Sequence, residues 1–160
     1  ASWSSLSVEQ QSEMDKAVAL LREAADQGHP EAQGECGDIY AFGHGVATDD
    51  HLAFVYNEKV AKQGHARCQY NVGKLLCLGR GCEQSNERAV EWFEKAARQG
   101  DAKARNSLGV LYSNGLGVPQ SFERAVELFK QGAAQGHAIA QHNLGHARSI
   151  VSTNIVPRLE

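Results

Sequence analysis

The chain has 160 residues, 42% of them hydrophobic and 22% charged, with 16 Lys and Arg against 19 Asp and Glu for a formal net charge of −3. That composition excludes a disordered chain, and its scattered, slightly acidic charge argues against nucleic acid or an anionic membrane surface as a partner. No run of about eighteen apolar residues is present to insert in a membrane.

The first predicted helix contains residues 15–27 and reaches back to a capping box made by Ser7 and Gln10. Pro30 opens the second, where a missing N–H costs nothing because that donor was unpaired anyway. From Ala17 onward the same pattern is written every thirty-six residues, reopening at Ala53, Ala89 and Ala125. Gly28, Gly64, Gly100 and Gly136 form one glycine set in register, and Gly37, Gly73, Gly109 and Gly145 form another. A repeat of this length cannot bury its own apolar face, so copies stack and supply one another's core.

The third repeat shows the unit most clearly. Its B helix is predicted over 87–99, with Ala89, Trp92, Phe93, Ala96 and Ala97 on one stripe and Glu91, Glu94, Lys95 and Arg98 on the other. Ser85 sits at the capping position, as Asp49 and Ser121 do in the neighbouring repeats, and Gly100 supplies the stop. An A helix follows over 102–114, and the last A helix is predicted over 138–148. His29, His65, Asp101 and His137 share the slot before each A helix and read as linker or capping residues. The units are 17–52, 53–88, 89–124 and 125–150 of one domain, with 151–160 expected to be a tail or a cloning scar. Val151 and Thr153 replace the two glycines that close the earlier A helices.

Glycine in mid-helix costs about 1 kcal/mol relative to alanine. Its recurrence at Gly37, Gly73, Gly109 and Gly145 therefore predicts close helix contact, with Ala25, Ala61, Ala97 and Ala133 as the small partners. Among the four cysteines, Cys36 and Cys68 fill slots held elsewhere by Val, Leu or Ala and read as small buried hydrophobes. Cys77 and Cys82 flank the turn at Gly79-Arg80-Gly81. No CxxC pair and no Asn-x-Ser/Thr sequon is present, which favours a reducing compartment such as the cytoplasm.

Ala89, Trp92, Phe93, Ala96, Ala97, Gly100, Ala104, Leu108, Gly109, Tyr112, Gly115, Gly117 and Val118 together resemble the Sel1-like repeat, a relative of the tetratricopeptide repeat. The resemblance covers residues 13–148. It implies an all-α fold, a right-handed α/α superhelix (solenoid) of about four helix-pair repeats acting as adaptor or scaffold, with no catalytic residues. Val60 and Ala96 stand where the cysteine-rich bacterial branch would carry a disulfide partner, so its oxidising location is not implied here.

The Gly-x-Gly turns at Gly43-Gly45, Gly79-Gly81 and Gly115-Gly117 lack a preceding strand and a third glycine, and read as turn geometry rather than a phosphate cradle. His142 and His146 lie one helical turn apart with His137 nearby, but no glutamate follows the first as in a metalloprotease helix. Neither metal, cofactor nor catalytic residue is expected. Where repeats differ is more informative. Four positions on one face of each A helix vary freely, and by analogy with tetratricopeptide superhelices they line a concave groove. The expected partner-binding residues are Glu31, Asp38, Arg67, Tyr70, Lys74, Leu78, Lys103, Asn106, Val110, His142 and His146. Glu31, Glu35 and Asp38 make one end acidic, while Arg67 and Lys74, flanked by Lys103, suit an acidic peptide or a terminal carboxylate. The expected function is binding of a protein or peptide on this face. A structural spacer or oligomerisation unit, associating through the C-terminal repeat end, is the alternative. An enzyme or metal-binding protein is a remote one.

Overall fold

The computed structural model describes residues 7–43 and 46–155, with side chains through Ser152. Gly45, half of the first expected Gly-x-Gly turn, lies outside the described residues, as does the tail segment 156–160. Among the described residues there are eight helices and no strand: α1 (Val8–Asp26), α2 (Pro30–Phe42), α3 (Asp50–Lys62), α4 (Ala66–Leu78), α5 (Asn86–Arg98), α6 (Ala102–Asn114), α7 (Phe122–Ala133) and α8 (Ala138–Ile155). None of them is long and apolar enough to cross a membrane.

The punctuation that sets these boundaries follows the repeat. Ser7 and Gln10 form the reciprocal capping box, the Ser7 hydroxyl accepting from the Gln10 N–H at 3.2 Å and the Gln10 carboxamide accepting from the Ser7 N–H at 3.0 Å. Asp49, Ser85 and Ser121 accept from the N–H of Leu52, Arg88 and Arg124. In the slot before the A helices, Asp101 accepts from the Ala104 N–H at 2.7 Å and His137 from the Ala140 N–H at 3.2 Å. His29 and His65 make no such bond. The capping reading of that slot therefore holds for two of its four residues.

Helices α2, α4 and α6 each stop at a glycine in the left-handed region, Gly43, Gly79 and Gly115, with φ of 68°, 63° and 66°. Val151 occupies the matching slot in the fourth repeat, and a β-branched residue avoids that conformation. The helix consequently runs on to Ile155 rather than ending near Arg148 as expected.

The contacts divide the chain into two compact units, 1–84 and 85–160. In the first, successive helices from α1 to α4 pack in order, around Ala25, Ala32, Cys36, Tyr40, Ala53 and Tyr56. The Tyr40 and Tyr56 rings stack with centroids 6.1 Å apart and planes 6° from parallel. Cys36 and Cys68 are buried, as their slots suggested. Two buried glutamines tie an A helix to the last turn of the B helix before it. Gln33 donates to the Ala25 carbonyl at 2.9 Å, and Gln69 to the Ala61 carbonyl at 3.1 Å. In the second unit α5 to α8 pack in order, and Ala125, Phe129 and Ala147 form a core joined by Tyr112, Val126 and Leu144.

Gly37 and Gly109 mark close contact, and the atoms nearest to them belong to large side chains. A Cβ on Gly37 would run into the Asn57 amide, and one on Gly109 would lie 2.5 Å from Cε1 of Phe129. Both partners come from the next B helix and occupy equivalent slots, so each glycine is a socket for a large side chain. Gly145 breaks the rule, with nothing within 4 Å.

Candidate functional site

In the first unit, the variable stripes of α2 and α4 meet through Arg67. Its guanidinium pairs with the Asp38 carboxylate at 2.9 Å and passes beside Gly34. Asp38 also accepts from Asn71 at 3.4 Å. The Asn71 amide bonds Asn57 at 3.0 Å, and Asn57 in turn donates to the Ala53 carbonyl at 2.9 Å. A polar chain thus runs from the fully buried Asn57 out to the exposed Arg67. Glu31 and Lys74 are exposed, Tyr70 is half-buried, and Leu78 shows 55% of its surface. The expected separation of an acidic from a basic end is reduced, because Asp38 and Arg67 are ion-paired with each other.

In the second unit the stripes of α6 and α8 flank a cavity of about 400 Å³. Phe122, Phe129, Ala147 and Ile150 give it an apolar floor, while Val110, Ser113, Asn114, Gln120, Asn143 and His146 form its rim. Asn143 donates to Asn106 at 2.9 Å, joining the two A helices beside it, and Gln120 donates to the Ser113 carbonyl at 2.8 Å. Val110 and His146 were expected here on sequence grounds. Lys103 and His142 are exposed on the same two helices.

The cavity has a local cause. In the earlier repeats a glycine turn settles on the start of a B helix: Gly81 against the Asp50 backbone and Gly117 against that of Asn86, so closely that a Cβ would collide with it. In the fourth repeat α8 stays helical at the corresponding residue 153, and Phe122 stands in the slot of Asp50 and Asn86. The aromatic ring is left lining an opening instead of a turn. Sequence reading passed over Phe122, although an aromatic in a slot otherwise held by Asp and Asn was a visible signal. It also passed over Asn71 and Asn143, whose importance lies in contacts between helices.

Among the described residues no group of three or more His, Cys, Asp or Glu is arranged to hold a metal ion. Burial pushes the thiols of Cys36, Cys68 and Cys77 up. One unit presents a charged, hydrogen-bonded stripe and the other an apolar cavity with a polar rim.

The Sel1 repeat family model matches residues 6–29, 30–65, 66–101 and 102–137; the first match covers α1, and each of the other three pairs an A helix with the B helix that follows it. The chain is similar to the crystal structure of c5321, a protective antigen present in uropathogenic Escherichia coli strains displaying an SLR fold. Identity is 33% and the TM-score 0.76 over 89% of this chain and 30% of that one. It is similar also to a Sel1 repeat protein from Oxalobacter formigenes, with 33% identity and a TM-score of 0.76 over 80% of this chain and 51% of that one. The chain thus spans between about a third and a half of the length of these solved relatives. No curated protein matches it. Four repeats matched in register over most of the described helices place this chain in the Sel1 repeat family, a family of non-enzymatic all-α solenoid scaffolds whose repeats are generally protein–protein interaction modules.

Proposed function

We propose that this chain binds an extended peptide segment of a protein partner on the variable stripes of α6 and α8, taking an apolar side chain of that segment into the α6–α7–α8 cavity. The cavity carries the reading. An opening of about 400 Å³ with an aromatic floor and a ring of amide, hydroxyl and imidazole groups suits one buried apolar anchor beside a hydrogen-bonded main chain. Phe122 and Phe129 supply the apolar contact, and Asn114, Gln120 and Asn143 supply donors and acceptors for peptide groups. In the first unit Lys74, Tyr70 and Leu78 offer a cation beside apolar surface, which suits an acidic residue flanked by an apolar one.

Random-peptide display on the immobilised chain, followed by calorimetry of the enriched sequences, tests this. Enriched peptides should share an apolar anchor and bind the Val110→Glu variant at least about tenfold more weakly. Peptides indifferent to both Val110→Glu and Phe122→Ser, in variants shown to be folded by circular dichroism, would overturn the proposal.

A further inference from the structure

The opposite face of α6 carries a second opening, of about 430 Å³, lined by α5, α6 and α7 and sharing no residue with the α6–α7–α8 cavity. Its cause is visible in the register with the first unit. There Gln33 is buried and donates to the Ala25 carbonyl, and the Tyr56 ring stacks on Tyr40 while its hydroxyl donates to Asp26 at 3.2 Å. The slots of Gln33, Tyr56, Tyr40 and Asp26 hold Arg105, Leu128, Tyr112 and Arg98 in the second unit. A leucine in place of a tyrosine leaves space beside Tyr112, and a guanidinium lines that space where the first unit has a buried amide. Leu108 and Leu128, 2% and 5% exposed, form its apolar floor.

The charges around the opening suit one negative group. Arg98 pairs with Glu94 at 3.0 Å and Arg124 with Glu127 at 2.7 Å, each along its own helix. The half-buried Arg105 side chain has no ion pair or hydrogen bond among the described residues. One unpaired guanidinium takes one carboxylate in its fork. A doubly charged phosphate would lack a second free cation, because the two glutamates offset the other two arginines. We propose that this opening binds a singly charged carboxylate on an apolar body, with the carboxylate on Arg105 and the body against Leu108, Tyr112 and Leu128. A free carboxylic acid and the last residue of a polypeptide share that chemistry.

Titration of the chain with N-acetyl-leucine, followed by ¹H–¹⁵N NMR, reads the site through the Arg105 Nε–H signal. The signal should move and saturate with a Kd of about 1–10 mM, and N-acetyl-leucinamide, which lacks the charge, should bind at least about tenfold more weakly. Arg105→Gln, which returns the slot to the residue of Gln33 and Gln69, should weaken N-acetyl-leucine by about tenfold or more, read from the backbone signals of α6. Leu128→Tyr, which brings back the ring of the Tyr56 slot, should do the same with the guanidinium kept. Circular dichroism shows whether each variant is folded. A tripeptide ending in leucine separates the two sources: tighter binding than N-acetyl-leucine assigns the site to a chain terminus, and equal or weaker binding assigns it to the free acid. The proposal is overturned by the absence of a saturable shift below about 50 mM. Equal binding of the amide, tighter binding of phenyl phosphate than of N-acetyl-leucine, or parent affinity in folded Arg105→Gln would each overturn it as well.

Discussion

A Cβ placed on Gly109 would sit 2.5 Å from Cε1 and 2.8 Å from Cδ1 of Phe129, a ring only 2% exposed and held between α6 and α8. The ring cannot retreat without moving the core it belongs to. Gly109→Ala should therefore lower stability by about 1–3 kcal/mol despite alanine's better helix propensity. Gly145 occupies the same slot with open space around it. There only the propensity term acts, and Gly145→Ala should raise stability by up to about 1 kcal/mol. Urea unfolding of the two variants beside the parent should give shifts of opposite sign. Shifts of the same sign would show that the socket account is wrong.

Asn57 is the polar member of a slot that Phe93 and Phe129 fill in later repeats, and it is 1% exposed with both ends of its amide engaged. Asn57→Ala removes the acceptor that Asn71 uses and leaves a cavity, so a loss of about 1–3 kcal/mol is expected. Asn71→Ala should cost less, since its side chain is only half-buried. The double variant should fall short of the sum by about 0.5 kcal/mol or more, because the two changes delete one shared bond. Denaturant melts of the four proteins close the cycle, and strict additivity would mean that the bond contributes nothing.

Periodicity made the fold legible: thirty-six-residue spacing, capping residues at Asp49, Ser85 and Ser121, and glycines in register were enough to place the ends of α1, α5 and α6 within a residue. The α8 end was missed although its cause was in view. Val151 was seen to replace a glycine, but a missing stop signal extends a helix rather than ending it. The site was less legible because slots describe one helix at a time. Nothing in the spacing shows that Arg67 reaches back to Asp38, or that Phe122 lines a cavity because the turn after the next helix does not form. The two buried glutamines were hidden differently, since a long polar residue on a variable helix reads as solvated until its partner carbonyl is known.

Arg80 forks onto the Asp50 carboxylate through Nε at 2.9 Å and a terminal nitrogen at 2.5 Å, at the turn where Gly81 presses on the Asp50 backbone. The hydrogen bond from Arg80 holds the Asp50 carboxyl below its ordinary value. A depressed folded-state value means the pair stabilises the fold above the unfolded carboxyl value, near about 3.9, and that this contribution is lost as pH falls through the lower folded value. Carboxyl-carbon NMR titration should place the Asp50 midpoint below the ordinary aspartate value in the parent and return it towards that value in Arg80→Gln. A midpoint unmoved by the substitution would show that the fork does not persist in solution.

Arg67 and Lys74 lie two turns apart on one stripe of α4, yet they should respond differently to charge reversal once an acidic peptide has been selected on the chain. Lys74 is exposed, so Lys74→Glu changes the surface potential met by the peptide and little else. Arg67 already pairs with Asp38, and Arg67→Glu places two carboxylates together at the outer end of the network that reaches Asn57. Lys74→Glu should weaken an acidic peptide by roughly tenfold or more and flatten the salt dependence of binding, with an unchanged melting temperature. Arg67→Glu should weaken binding and lower the melting temperature together. The double variant, shown by circular dichroism to be folded, is decisive. If it binds the selected peptide with the parent's affinity and salt dependence, the stripe on α4 is not where this chain meets its ligand.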